Sequence, residues 1–241
     1  MNASSLSNQH DVLHRSRSDS DPIYDITPFS ALDYPDHLSA IIWFAGCNMR
    51  CSYCYNGDIV FSKGKRSLDE ALAFLQTRVG LLEGVVLSGG EATMFSGLTV
   101  FCRKIKALGF KIKLDTNGTF PQKIKELIDE NLLDYVALDY KAPAAKFYAI
   151  TKNQNFSSFE ESLELLLKEE VDLEVRTTLH SDLLDEDDIN AIADDLENRG
   201  YRGTYYLQNF VQDVKTIGDV ANPKAAFDKS RIASRLAIEY R

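Results

Sequence analysis

Several things are missing from the 241-residue sequence, and each absence excludes something. No run approaches the ~18–20 consecutive apolar residues of a membrane-spanning helix, so no membrane partner is expected. Residues 1–22 are rich in Ser, Asp, His and Arg and lack the apolar stretch of a secretory signal. They read as a disordered N-terminal tail. Without a secretion signal the expected location is cytoplasmic, where thiols stay reduced. The four cysteines are then thiols or metal ligands and not a disulfide framework. Positive charge is also scarce. With 27 Lys and Arg against 36 Asp and Glu, the net charge of −9 argues against general binding to nucleic acid or anionic membranes. There is no internal repeat, and no low-complexity tract beyond the tail.

What is present suits a single well-cored α/β unit. A chain of this size buries roughly 70% of its unfolded surface and needs no disulfide staples. From residue 39 onward, short apolar runs alternate with amphipathic segments. Strands are expected at 40–45, 84–88, 110–115, 135–140, 173–178 and 204–208. Helices lie between them. Ser67 and Glu70 form a capping-box signature ahead of one, and Ser158 and Glu161 ahead of another. Gly109 stops the helix over 98–108, a further helix runs over about 122–131, and an acidic one over about 185–198. Six β-then-α units imply parallel strands with right-handed crossovers. Six is too few for a closed eight-stranded barrel, so the expected fold is an incomplete (βα)6 parallel barrel spanning residues 23–210. A doubly wound open sheet is the competing geometry. Residues 211–241 read as a C-terminal extension, partly helical, with Asn222 and Pro223 opening a last helix that ends near Ile238.

Polar residues collect at one end of the strands. In strand 110–115 the apolar Phe110, Ile112 and Leu114 leave Lys111, Lys113 and Asp115 on the opposite face. Asp172, Glu174, Arg176 and Thr178 do the same in the fifth strand, as do Ala137, Asp139 and Lys141 in the fourth. Burying unpaired charge is costly, so this pattern fits a polar ligand cavity better than a solid barrel core. A sheet with one face in water is the alternative. Cys47, Gly89-Gly90-Glu91, Asp115-Thr116-Asn117-Gly118, Asp139, Lys141, Arg176 and Gln208-Asn209 all fall at carboxyl ends of strands, the face where parallel α/β folds carry their sites.

Cys47, Cys51 and Cys54 have the spacing C-x3-C-x2-C. Tetrahedral zinc wants four ligands, and no second C-x2-C pair follows. Cubane clusters normally take four cysteines as well. Three thiols without a fourth suggest a four-iron cluster whose last iron is left for a substrate or cofactor. Structural zinc is the bland reading. Cys102, beside Phe101 and Ile105 on a helix, reads as a small buried hydrophobe. Trp43 reads as core. His180 could face the cavity or stand in a loop, and the 185–188 acidic run reads as a helix start.

With Tyr53 before its last cysteine, the loop resembles the signature of the radical S-adenosylmethionine (SAM) superfamily. Ser88-Gly89-Gly90-Glu91 resembles its second hallmark. The resemblance implies one [4Fe–4S] cluster on the three cysteines and a cofactor, S-adenosylmethionine, on the open iron. It implies that Gly89, Gly90 and Glu91 meet the methionyl part and backbone near Tyr53 meets adenine. Asn117, Lys141 and Arg176 would also face the cofactor. Asp115, Thr116 and Asp139 match a monovalent-cation site. A thiolate-bound cluster can reach potentials down to about −700 mV, low enough to cleave the sulfonium to a 5′-deoxyadenosyl radical. Tyr55 and Ala92 stand where the family often has His and Pro. Residues 55–66 contain no cysteine, so no auxiliary cluster is expected.

Over about 26–210 the chain is most similar to activating enzymes of glycyl radical enzymes, oxidoreductases that take one hydrogen from a partner's backbone glycine. Residues 29–35, 84–91, 113–118, 134–143 and 176–178 carry this similarity. Lys141-Ala142-Pro143 points within that group to the longer form of the anaerobic ribonucleoside-triphosphate reductase activating protein. The implied partners are that reductase and a flavodoxin or ferredoxin donor. The pyruvate formate-lyase activator and a 7-deazaguanine-forming synthase are the alternatives, and a zinc-binding adaptor is the noncatalytic one.

Overall fold

A computed structural model describes residues 21–241, so most of the tail expected over 1–22 lies outside the described residues. The elements run β1 (Ile23–Ser30), β2 (Ser39–Phe44), α1 (Gly57–Val60), α2 (Leu68–Gln76), β3 (Gly84–Gly89), α3 (Leu98–Ala107), β4 (Lys111–Thr116) and α4 (Pro121–Asp129). The second half adds β5 (Tyr135–Asp139), α5 (Ala144–Thr151), α6 (Phe156–Leu166), β6 (Asp172–Leu179), α7 (Glu186–Asn198), β7 (Tyr205–Asn209) and β8 (Ile238–Tyr240). One eight-stranded sheet follows chain order from β1 to β8. β1 pairs antiparallel with β2, and every later pairing is parallel.

The six expected strands are β2 to β7, in sequence order and parallel. β1 and β8 extend them at the two edges and do not pair with each other, so the barrel stays open. Two hydrophobic clusters flank the sheet. The larger lies between the strands and the helices and takes Ile42, Leu87, Ile112, Leu114, Val136, Leu138 and Val175 from the strand faces. The smaller is inside, where Tyr34, Ile41 and Val86 meet Trp43 and Tyr135. It closes the floor below the polar residues, so the charged inner face is not a water-washed sheet. Lys113 there is only 3% exposed.

Helix starts follow the local chemistry. Ser67 and Glu70 form the expected capping box on α2, and Asp185 with Asp188 forms another on α7. Gly109 (φ +90°) ends α3 as expected. Two expectations fail. The box at Ser158–Glu161 does not form, because α6 begins a turn earlier, after Asn155. That extra turn brings Phe156 within 5.2 Å of Phe147 and 5.7 Å of Phe159, between ring centroids, and aromatic packing outweighs the cap. The C-terminal helix expected from Asn222 also does not form. A single 3₁₀ turn at Lys229–Arg231 and strand β8 stand in its place. Side chains of α7 take its backbone donors: Asp228 N donates to Glu186, Ala233 N to Asn190 and Arg235 N to Glu197. Donors satisfied this way gain nothing from an intrahelical ladder.

Candidate functional site

The cysteine loop leaves β2 at Ala45 and is gripped from several directions. Glu91 N donates to Gly46 O and Gly90 N to Phe44 O, both at 2.9 Å. Arg50 N donates to Thr151 O at 2.8 Å and Ser52 N to Ile150 O at 3.0 Å, tying the loop to the end of α5. The Arg50 guanidinium turns back under the loop and donates to the carbonyls of Cys47 (2.6 Å) and Met49 (2.7 Å). Asn48 donates to Thr119 and accepts from Asn117, which binds the loop to the turn after β4. Arg50 and Asn48 lie inside the cysteine motif, where attention to the thiols alone passes over them.

Gly89 and Gly90 line the cavity and are also needed by the packing of the chain itself. A Cβ on Gly90 would stand 1.8 Å from Gly46 O, and one on Gly89 (φ +120°) would stand 2.4 Å from Phe44 O. The two glycines let the turn after β3 lie directly on the start of the cysteine loop. Glu91 is the buckle of that junction. Its carboxylate is 3% exposed and accepts from Thr93 N and Oγ1, from Thr116 Oγ1 (2.8 Å) and from Asn117 N (2.8 Å). Burial raises its pKa, and these four donors oppose the rise. Oε2 accepts only one of them, so it keeps capacity for a ligand's ammonium.

Cys47, Cys51, Tyr53, Cys54, Gly89, Gly90, Glu91, Asp115, Thr116, Asn117, Asp139, Lys141 and Arg176 all line one cavity of about 420 Å³ at the carboxyl end of the strands. A hollow of about 770 Å³ between α7 and the C-terminal segment is lined by Asp194, Glu197, Arg202 and Arg235 and by none of the cysteines. Trp43 packs against the inner cluster, as expected of a core residue, and also lies on the cavity wall. Its Nε1 donates to Thr27 at 2.8 Å. His180 does not reach the cavity: it is buried against Phe210 and donates to Ala221 O. Cys102 is fully buried in the outer core, as read.

The inner charges are paired. Asp139 accepts from Arg176 Nε and Lys141 Nζ, both at 2.9 Å. Lys113 Nζ sits 2.6 Å from Asp115, and Arg176 also reaches Asp115 and Glu174 at 3.6 Å. Burial opposes the charge on Asp139, yet Arg176 and Lys141 hold its pKa down to about 2. Burial likewise disfavours the Lys141 ammonium, and Asp139 more than compensates. Asp115, Thr116 and Asp139, the residues expected to meet a monovalent cation, line the same cavity and are engaged by the protein itself. Thr116 turns its hydroxyl to Glu91, and the Asp115 and Asp139 carboxylates already face three protein cations. Asn117 spends its amide on Asn48 and Thr119, so it ties loops together and presents no free donor pair to the cavity.

The three thiols are free and line the same cavity wall. Burial pushes Cys47 up to about 11 and Cys51 up to about 12, so the bare pocket disfavours thiolates, and a metal group bound there would displace their protons. The Tyr53 hydroxyl is buried in the same wall without a hydrogen-bond partner among the described residues, which marks a polar surface left for a ligand.

Residues 41–206 match the family described as the Radical SAM superfamily. The chain belongs to the radical SAM superfamily. Its members imply a [4Fe–4S] cluster and S-adenosylmethionine. A provisionally named glycyl-radical enzyme activating enzyme of Methanocaldococcus jannaschii is 33% identical over 210 residues, covering 85% of this chain and 81% of the relative. The pyruvate formate-lyase 1-activating enzyme of Escherichia coli K12 is 34% identical over 110 residues, 42% of this chain and 44% of that one. The crystal structure of Streptococcus suis SuiB bound to S-adenosylmethionine shares the fold, with a TM-score of 0.65 at 10% identity, over 83% of this chain and 51% of that one. This radical SAM chain thus spans about half the length of that structure. Among its described residues no helix is long and apolar enough to cross a membrane.

Proposed function

We infer that this radical SAM protein is an activase that installs a glycyl radical on anaerobic ribonucleoside-triphosphate reductase. The observation that carries the reading is the junction of the three-cysteine loop with the Gly89-Gly90-Glu91 turn on the wall of one cavity. Similarity to activating enzymes over most of the chain supports the activase class. The Lys141-Ala142-Pro143 sequence supports the reductase as target.

In this reading Cys47, Cys51 and Cys54 hold the cluster, and Glu91 receives the cofactor's ammonium through the free capacity of Oε2. When bound, the cluster and S-adenosylmethionine supply one-electron cleavage of a carbon–sulfur bond, which yields a carbon-centred oxidant. The chain's residues orient and exclude. Arg176 and Lys141 present fixed positive charge to carboxylate or ribose oxygens. Trp43, Tyr53 and the floor cluster keep water from the reacting end. The lateral opening between β1 and β8 admits an extended peptide loop carrying the target glycine.

The test is anaerobic incubation of reconstituted protein with reductant, S-adenosylmethionine and each candidate partner, followed by electron paramagnetic resonance. A glycyl radical on the reductase and none on pyruvate formate-lyase is the expected result. A signal on the lyase alone moves the assignment to the second reading, which the match to the Escherichia coli activator favours.

A further inference from the structure

The cysteine loop has one more anchor, and it comes from the far end of the sequence. Ile217 N donates to Cys54 O and Gly218 N to Ser52 O, both at 2.9 Å. Ser52 is thus held on both of its backbone edges, its N–H by Ile150 and its carbonyl by Gly218. The residues that bring this about form a closed loop. Asp213 and Asn222 exchange two hydrogen bonds at its neck: Asp213 N donates to Asn222 Oδ1 at 3.0 Å and Asn222 Nδ2 to Asp213 Oδ1 at 2.9 Å. Beside the neck, His180 donates to Ala221 O at 2.8 Å. At the tip, Asp219 N donates to Thr216 O and Val220 N to the Thr216 hydroxyl, folding a tight turn around a buried Thr216. The tip touches the thiol loop so closely that a Cβ on Gly218 would stand 2.8 Å from Ser52 Cβ and 2.9 Å from Ser52 Cα.

We propose that residues 213–222 are a clamp that positions the segment between Cys51 and Cys54 for cluster binding, with Gly218 as its positioning residue. The two carbonyls it engages belong to Ser52 and to the third cysteine itself. Loops move more freely than the elements that carry them, and a loop that must hold sulfurs at fixed separation benefits from being ordered before the metal arrives. The opposite edge is already fixed by α5, and the start of the loop by Gly90 and Glu91. The clamp supplies the remaining side. His180 acquires a role here, as a pin for the neck and not as a cavity residue. The proposal rests on the cluster reading for its consequence, while the contact itself does not depend on that reading.

The test compares the full chain with Gly218→Val and the milder Gly218→Ala. Hydrogen exchange of the metal-free proteins reads the contact. We expect exchange at residues 216–220 and 50–56 to rise by about ten-fold or more in Gly218→Val, less in Gly218→Ala, with β3 and β4 unchanged. After anaerobic reconstitution we expect iron release to a ferrous chelator to accelerate in the same order. We also expect the paramagnetic spectrum of the reduced cluster to broaden on addition of S-adenosylmethionine. Exchange and iron release both within two-fold of the parent would overturn the clamp. Faster exchange with unchanged iron release and spectrum would overturn its role in cluster binding. A parent chain that takes up no four-iron cluster would defeat the functional reading, while the exchange comparison would still decide whether the contact orders the loop.

Discussion

At the scale of single residues, the site depends on groups whose partners are fixed. Cys51 is the most buried of the three thiols in the motif. Cys51→Ser is expected to lose the cluster and the cleavage of S-adenosylmethionine together, read as iron per chain and as 5′-deoxyadenosine formed. A serine variant with full iron would contradict the ligand assignment. Asp139 gives a pH prediction. Its folded pKa of about 2 lies below the unfolded value near 3.9, so the unfolded chain binds the extra proton between them. Its contribution is present above about pH 4 and is lost as pH falls through about 2. Asp139→Asn leaves Arg176 and Lys141 without a shared anion and should cost about 3–5 kcal/mol at pH 7. The gap from the parent, measured by urea unfolding, should narrow between pH 4 and 2. A gap that stays constant would place the stabilisation elsewhere. Residue roles were the least legible layer of the sequence. Glu91 and Asn117 were expected to meet a cofactor, and the structure shows that their side chains also bond within their own turns and across to neighbouring loops. Spacing identifies a polar residue near a site but not which partner reaches it first.

At the scale of elements, parallel strands were readable because each is short and rich in apolar residues, and β4, β5 and β6 add a polar inner register. The paired ladders align those registers: Asp115 lies beside Ala137, Ala137 beside Glu174 and Asp139 beside Arg176. Turns were less readable. The Gly89-Gly90 turn exists because it must lie against Gly46, a contact between segments more than 40 residues apart. Gly90→Ala should therefore push the turn off the cysteine loop. We expect a soluble chain that loads far less iron after reconstitution, while its far-ultraviolet dichroism stays close to that of the parent. Parent-like loading would show that the loop yields to the extra carbon. The C-terminal segment was misread for a related reason. Asn222 and Pro223 form a sound helix start in isolation, but Glu186, Asn190 and Glu197 of α7 offer acceptors and donors that a local pattern does not reveal.

At the scale of the whole molecule, the open barrel is held across its floor by shared charge. Glu174, 2% exposed, accepts from Tyr135 at 3.0 Å and from Arg241 at 3.3 Å, with Arg176 at 3.6 Å and Lys113 at 4.0 Å. One carboxylate thus joins β4, β5, β6 and the residue after β8. Glu174→Gln should cost about 3–5 kcal/mol, because several buried cations lose their common partner. Exchange at 238–241 should rise with it, since β8 pairs with β7 over only three positions. A cost below about 1 kcal/mol would show that the cations repartner with Asp115 and Asp139.

The sequence by itself determined the α/β class, the order of the six parallel strands, the polar end of the sheet and the three-thiol motif. These follow from periodicity and from spacing along a short loop, both local properties. Tertiary structure alone decided the two edge strands, the ion pairs that Asp115 and Asp139 make with Lys113, Lys141 and Arg176, the glycine contacts behind the Gly-Gly-Glu turn and the loop that reaches back to Cys54. Each of these joins residues far apart in the chain, and such an encounter is fixed only when the sheet has curved and the helices have packed around it.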